Sequence, residues 1–506
     1  MFRIFGFPGL LCISALVLPG LVLHAQEHPT PSQARNFAEV TSTGDLVSFL
    51  IQLDEASGYV TAERIGTSVQ GRSIYGLKLS NGVFGEEARK PRVLIFAQQH
   101  GNEQSGKEAI LLLASRILSP EYAQLLHQID LYLIPQLNPD GAMLNLRRNG
   151  NEADLNRDHL LLDQPETQAL HAVFDAWMFH AALDVHEYYP YGGDWEKGGF
   201  RKNSEVTVGT LTNPNISGNV RAFSSQVVVP FMLDFIRKKG YSCMEYLPGG
   251  PPPAYPMRYS TFDINDGRQS LGIIGTLSLI QEGMNGEDRL THNLERRAEG
   301  QFTGMLAFLE FIAAHPKKII RIADKERDRI RKGGRGDSLA LHYEHYSDGR
   351  TLALPVWSYR SGTDSLVNVS NFLSRVRPTL GVKPPLGYLI PASDSLLLNW
   401  CERQALQRFP YRPAARHKIK QSFVHSFQTI LFEGDTIPDP VIRESIVDPS
   451  LIREGDYWFI PYAQWKGRRL ALALEPRSML GLRTYRQFAY LLGIGSAYPI
   501  LRVDNR

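Results

Sequence analysis

Val93-Leu94-Ile95-Phe96-Ala97-Gln98-Gln99-His100-Gly101-Asn102-Glu103 decides the reading of this chain: a continuous apolar run, a polar turn, then a helix-like segment from Lys107 to Leu118. A short run with no polar alternation has the pattern of a strand covered on both faces. The turn after it carries an imidazole and a carboxylate, His100 and Glu103. Such a pair can grip one zinc ion, and a catalytic zinc takes three protein ligands with a fourth position left open. A third candidate closes a second apolar run, Ala182-Leu183-Asp184-Val185-His186-Glu187, at His186. Ligands at the ends of adjacent strands suit a site in an α/β sheet. Alone, His-x-x-Glu reads more readily as a polar helix-start turn than as a metal site, so the rest of the chain has to decide.

The apolar runs recur. Val93 to Phe96, Ile129 to Ile134, Ala181 to Val185 and Gly275 to Ile280 read as buried strands, and helical patterns fall between and after them at Lys107 to Leu118, Glu166 to Phe179, Gln226 to Lys238 and Asn293 to Ala313. This alternation predicts an α/β fold with a mixed, largely parallel sheet flanked by helices. Ahead of it, Asp45 to Leu53 reads as an amphipathic helix, and Tyr59 to Ile65 with Ser73 to Leu79 as a hairpin. Pro316 can open a basic helix that runs into Arg331-Lys332-Gly333-Gly334-Arg335-Gly336, read as a solvated linker. Beyond it Leu339 to His345, Thr351 to Tyr359, Tyr388 to Pro391, Tyr457 to Ile460 and Leu470 to Leu474 read as strands, and Ser395 to Arg408 as a helix. The expected division is a signal peptide at 1–25, a catalytic domain at 26–315, a linker at 316–336 and a smaller mixed α/β accessory domain at 337–506.

The first 25 residues have a basic start at Arg3, an apolar stretch from Leu10 to Leu23 and small or tolerable residues before Gln26. That is the pattern of a secretory signal, so the mature chain is expected to be exported, periplasmic or extracellular, with no integral membrane segment. Cys243 and Cys401 are the cysteines left after it, too few for a disulfide framework. With 55 basic against 52 acidic residues, bulk charge does not mark a nucleic-acid partner.

The densest polar segment lies between Ile134 and Glu166: Asn138-Pro139-Asp140-Gly141, Arg147-Arg148-Asn149-Gly150-Asn151, then Asp154-Leu155-Asn156-Arg157-Asp158. An arginine fork can hold a carboxylate bidentately and an asparagine can complete the grip, although turn formers with surface charges have the same composition.

Taken in order, these motifs resemble the zinc carboxypeptidases related to carboxypeptidases A and B, over roughly Asp45 to Ala313. The resemblance implies one zinc per chain at His100, Glu103 and His186. It implies that Asn156 and Arg157 hold the substrate's terminal carboxylate, with Asp154 supporting a ligand from behind. Either Arg147 or Arg148 would polarise the scissile carbonyl. Glu282, in Leu279-Ile280-Gln281-Glu282-Gly283, would be the general base acting on a zinc-activated water. A tyrosine that closes over the bound end is expected at Tyr259 rather than Tyr255, and the base of the specificity pocket near Asp266 to Arg268. Tyr188 to Phe200 either lines a deeper cleft or forms a surface excursion. The expected substrates are peptide or protein C-termini. Two alternatives stand beside this: a zinc peptidase or amidase acting on peptidoglycan stem peptides, with muropeptides as partners, and an inactive protein that binds peptide ends or cell wall.

Overall fold

The computed structural model describes residues 28–334, 336–414, 416–432 and 435–505. The expected signal peptide lies outside the described residues. Nine strands are met first: β1 Val60–Thr67, β2 Ser73–Leu79, β3 Arg92–Ala97, β4 Asp130–Ile134, β5 Ala181–Tyr188, β6 Phe200–Lys202, β7 Val206–Gly209, β8 Cys243–Glu245 and β9 Leu277–Met284. Eight of them form one sheet in the order β1-β2-β4-β3-β5-β9-β7-β8. Its centre is parallel, with β3 between β4 and β5 and β5 beside β9. The β1-β2 hairpin and the β7-β9 pair run antiparallel.

Register positions the site. Ala97 stands opposite Val185, and His186 opposite Glu282, so the turn after β3 and the ends of β5 and β9 reach the same edge. Carboxyl ends of parallel strands are where open α/β sheets gather their functional groups. The helices Gln104–Arg116 and Leu294–Ala314 bury most of their residues over this sheet. Gly101 shows how tightly the turn is held: a Cβ there would fall 2.0 Å from the carbonyl carbon of Gly141.

Past the helix Pro316–Arg331, strands β10 Leu339–Tyr346, β11 Leu352–Ser358, β12 Thr363–Val369, β13 Arg375–Val382, β14 Gly387–Pro391, β15 Phe409–Pro410, β16 His417–Phe432, β17 Asp435–Val447, β18 Tyr457–Pro461 and β19 Leu501–Asn505 build three smaller antiparallel sheets. One is the β12-β11-β6 sheet, so a strand from before Pro316 is shared with this region. A single apolar core runs through both parts, from Leu170 and Phe174 to Trp400, Leu472 and Leu474. Trp400 is fully buried and donates its Nε1–H to the Leu160 carbonyl at 2.9 Å.

Two expectations need correction here. Leu470 to Leu474 is the end of a helix, Gly467–Leu474, not a strand. Its alternating Leu and Ala mimic a period of two, but both are strong helix formers and every residue of the element is buried, so no polar face betrays the helical period. The helix from Ser395 stops at Arg403, five residues short of Arg408, where Ala405 turns into a left-handed conformation at φ 51°.

Candidate active site

Three ligand-type side chains converge at the sheet edge. The candidate ligand atoms of His100, Glu103 and His186 all lie within 4.8 Å of one another, and all three residues are buried. His100 Nδ1 is 2.7 Å from Glu103 Oε1, His186 Nδ1 is 2.9 Å from Oε2, and the two Nδ1 atoms are 3.2 Å apart. The far nitrogens settle which way the rings point. His100 Nε2 lies 3.0 Å from Asp154 Oδ1 and His186 Nε2 lies 2.9 Å from Asp184 Oδ1. Each ring thus donates outward to a carboxylate and turns an Nδ1 lone pair inward, the arrangement that orients histidines on a metal. Two histidines and a carboxylate, backed in this way, fit a catalytic zinc site.

Local chain geometry explains the cluster. His100 sits in the turn that leaves β3, and Glu103 occupies the N-cap position of Gln104–Arg116, where its Oε2 also accepts the Glu187 N–H at 3.1 Å. Burial raises the Glu103 pKa, but the adjacent His100 and His186 outweigh it and hold the carboxyl well below its ordinary range.

The same groups open into a cleft of about 390 Å³, lined also by Arg147, Asn156, Arg157, Tyr246 and Glu282. Glu282 extends from β9 beside His186, and burial raises its pKa above the usual carboxylate value. Asn156 accepts the Gly267 N–H through Oδ1 at 2.8 Å, which turns its amide nitrogen toward His186. The Arg157 guanidinium donates to the Asn156 carbonyl at 2.8 Å. Arg147 and Arg148 part company. Arg147 lies in the cleft, its Nε and Nη2 3.1 and 3.0 Å from Asp154 Oδ2. Arg148 turns away to the Glu152 carbonyl and is exposed.

Tyr259, the expected closing tyrosine, does not line the cleft: its hydroxyl donates to Glu245 Oε1 at 3.1 Å. Tyr246, just past β8, lines the cleft wall together with Tyr188 and Tyr189, and its hydroxyl is held in its protonated form by burial and by Glu282. Tyr255 is exposed. Sequence reasoning missed Tyr246 because the loop from Gly249 to Tyr259 folds away from the cleft, its backbone joining Leu373 in the C-terminal region. Asp266 reaches the cleft, but it is the N-cap of the helix Gly267–Gly272, and Arg268 holds its Oδ2 at 3.1 Å. The segment from Tyr188 to Phe200 begins at the cleft and ends in a paired strand, so it is not only a surface excursion. Tyr188 and Tyr189 line the cleft, Tyr189 under Arg289 at 3.8 Å, and Phe200 begins the strand paired with β11.

The sequence profile of the zinc carboxypeptidases matches residues 46–194, a span that holds His100, Glu103, the Asp154 to Arg157 motif and His186. Carboxypeptidase 2 of Trichophyton rubrum is 27% identical over 485 residues, covering 93% of this chain and 88% of that protein. Carboxypeptidase SOL1 of Arabidopsis thaliana is 31% identical over 185 residues, 33% of this chain and 37% of that one. Among solved structures, the carboxypeptidase A of Helicoverpa armigera superposes with a TM-score of 0.44 at 17% identity, covering 56% of this chain and 75% of that one. Residues 46–194 thus match the zinc carboxypeptidase family, and the His100, Glu103 and His186 cluster fits the zinc site of such an enzyme. Among the described residues, no helix is long and apolar enough to cross a membrane.

Proposed function

We propose that this chain, exported through its N-terminal signal segment, removes the last residue of peptides that end in a free carboxylate. The reading rests on one observation: the His100, Glu103 and His186 cluster, Glu282, and the Asn156 and Arg157 pair line a single cleft. A zinc ion held by the three ligands supplies Lewis acidity toward water and the scissile carbonyl. Glu282 takes the proton of the attacking water and returns it to the departing amine, work that suits a carboxylate whose pKa burial has raised. Arg147, anchored by Asp154, faces the developing oxyanion. Arg157 and Asn156 fix the terminal carboxylate, so the bond presented to Glu282 is the one next to the chain end. Tyr246 takes the place expected of Tyr259 at the cleft wall. Asp266 is occupied by the Gln269 N–H and Arg268, so we do not assign it to recognition of a basic side chain. The catalytic unit is 26–315, with 316–336 as its helical connection and 337–506 as an accessory region.

The test compares one peptide with a free and with an amidated end. Loss of a charged, hydrogen-bonded partner in a desolvated pocket costs about 2–5 kcal/mol, or roughly 30-fold to several thousand-fold in kcat/KM. The parent should lose that much on amidation, whereas Arg157→Ala should be slow on the free-ended peptide and nearly indifferent to amidation. Efficient cleavage of the amidated peptide by the parent would sink the exopeptidase reading. Muropeptides assayed alongside decide the alternative: faster turnover of stem peptides than of ordinary peptides would move the substrate to peptidoglycan.

A further inference from the structure

The C-terminal region reaches the metal centre through buried polar groups that the reaction itself does not use. Arg469, in the helix Gly467–Leu474, is almost fully buried. Its Nη2 donates to the Ser270 carbonyl and hydroxyl at 2.5 and 2.8 Å, and its Nη1 to Gln404 Oε1 at 3.1 Å. The same Nη1 lies 3.5 Å from His171 Nδ1, the longest step of a chain that continues inward. His171 Nε2 is 3.0 Å from His159 Nδ1, and His159 Nε2 is 2.7 Å from Gln99 Oε1. Gln99 Nε2 then donates to Asp184 Oδ1 at 2.8 Å, the oxygen that also receives His186.

The two ends of this chain impose the same direction. A carboxylate only accepts, so Gln99 must turn its NH₂ toward Asp184 and its oxygen toward His159. His159 then carries its proton on Nε2 and presents a bare Nδ1, and His171 must likewise donate from Nε2 and keep Nδ1 bare. That last lone pair is buried and needs a donor that cannot turn into an acceptor, and a guanidinium has donors alone. An acceptor at position 469 would oppose every link. Burial depresses the pKa of both rings, His159 to about 3, in keeping with neutral imidazoles that each hold one proton. The C-terminal region also clamps the His159 segment directly, since Trp400 and Gln404 both donate to the Leu160 carbonyl.

We propose that Arg469 is a positioning residue of the metal centre: it closes a one-directional hydrogen-bond relay through His171, His159 and Gln99 to Asp184, which holds His186 with Nδ1 toward the metal. The C-terminal region is thereby a structural component of the ligand set rather than an appendage. The proposal rests on His186 being a ligand, as read above.

Zinc affinity, measured by withdrawal of zinc from the holoenzyme with a chelator of known strength, gives the first test through a double-mutant cycle. Loss of a group that orients a ligand typically costs 10-fold to 100-fold in metal affinity. Arg469→Met and His171→Phe should each weaken zinc by roughly 10-fold, and the double variant no further than the worse single one, because both break the same relay. Lys466→Met, which removes the neighbouring ion pair to Asp175 at 2.6 Å and a bond to the Gln404 carbonyl at 2.8 Å, leaves every side chain of the relay in place and should keep zinc affinity at the parent value. Parental affinity in both single variants, losses that multiply in the double variant, or an equal loss in Lys466→Met would overturn the relay. A second measurement needs no variant. In the ¹⁵N-histidine spectrum of the parent, His159 and His171 should each show the Nε2–H tautomer, and a proton on Nδ1 of either ring overturns the proposal. If the protein instead binds no zinc, the reading of the site fails, while the tautomers still decide the relay.

Discussion

Asp154 Oδ1 stands 3.0 Å from His100 Nε2 while the other oxygen of Asp154 holds Arg147, so one carboxylate orients a metal ligand and an arginine of the cleft together. Asp154→Ala should weaken zinc by roughly 10-fold to 100-fold in chelator competition and lower kcat even at saturating zinc, because Arg147 loses its anchor. If zinc affinity stays at the parent value, Asp154 does not support His100.

Arg147 and Arg148 are neighbours in sequence with opposite surroundings, and their variants should separate cleanly. In the proposed mechanism Arg147→Ala removes the donor that faces the oxyanion, and kcat should fall by about 10²-fold to 10³-fold. Arg148→Ala gives up one bond from an exposed side chain to the Glu152 carbonyl and should stay within about 2-fold of the parent, the scale of an ordinary surface substitution. The reverse ranking would assign the electrophilic role to Arg148.

Tyr246→Phe should lower kcat/KM by roughly 3-fold to 30-fold, the loss of one hydroxyl hydrogen bond to substrate. Tyr259→Phe should leave kcat/KM unchanged and cost about 1 kcal/mol of stability, since its hydroxyl serves Glu245 rather than the cleft. A drop in kcat/KM confined to Tyr259→Phe would return the role to that residue.

How much of this could be read from the chain depends on how local each signal is. Val93 to Phe96 and Ala181 to Val185 announced themselves because strands buried on both faces carry no polar alternation. Their ends carried His100, Glu103 and His186 with them. The β16-β17 hairpin did not announce itself: β17 contains Pro438 and Pro440, which argue against a strand, and few described residues of either strand are buried. Tyr246 was hidden by a loop whose path is settled by contacts with the C-terminal region. His159, His171 and Arg469 had no local signature at all, since a lone histidine or arginine in sequence says nothing of partners brought together by tertiary packing.

Glu282→Gln keeps the size of the side chain and removes its ability to take a proton. The variant should retain the parent's zinc content while kcat falls by about 10²-fold to 10⁴-fold, the usual worth of a general base. Near-parental turnover would exclude Glu282 as the base, and loss of zinc would make it part of the ligand set instead.

The stability of the fold should depend on acid through its buried histidines. Burial holds the His180 pKa down to about 3, assisted by Arg327 and Arg92, and its Nδ1 accepts the Arg92 N–H at 3.0 Å, a bond open only to the neutral ring. Burial, with Arg258, holds His345 down to about 4 while its ring stacks on Phe262. In the unfolded chain both return to about 6.5. Because the folded values are depressed, the unfolded state binds more protons below about pH 6.5. The stability these residues supply is complete above that pH and is lost as pH falls toward their folded values. Each adds about 1.4 kcal/mol per pH unit to the slope in that window. Denaturant unfolding at intervals between pH 7 and pH 4 should show stability falling steadily. His180→Gln, which accepts the Arg92 N–H without titrating, should reduce the slope by the equivalent of one proton. A parent whose stability is flat across the window, or a variant with an undiminished slope, would show that these rings are charged in the folded protein.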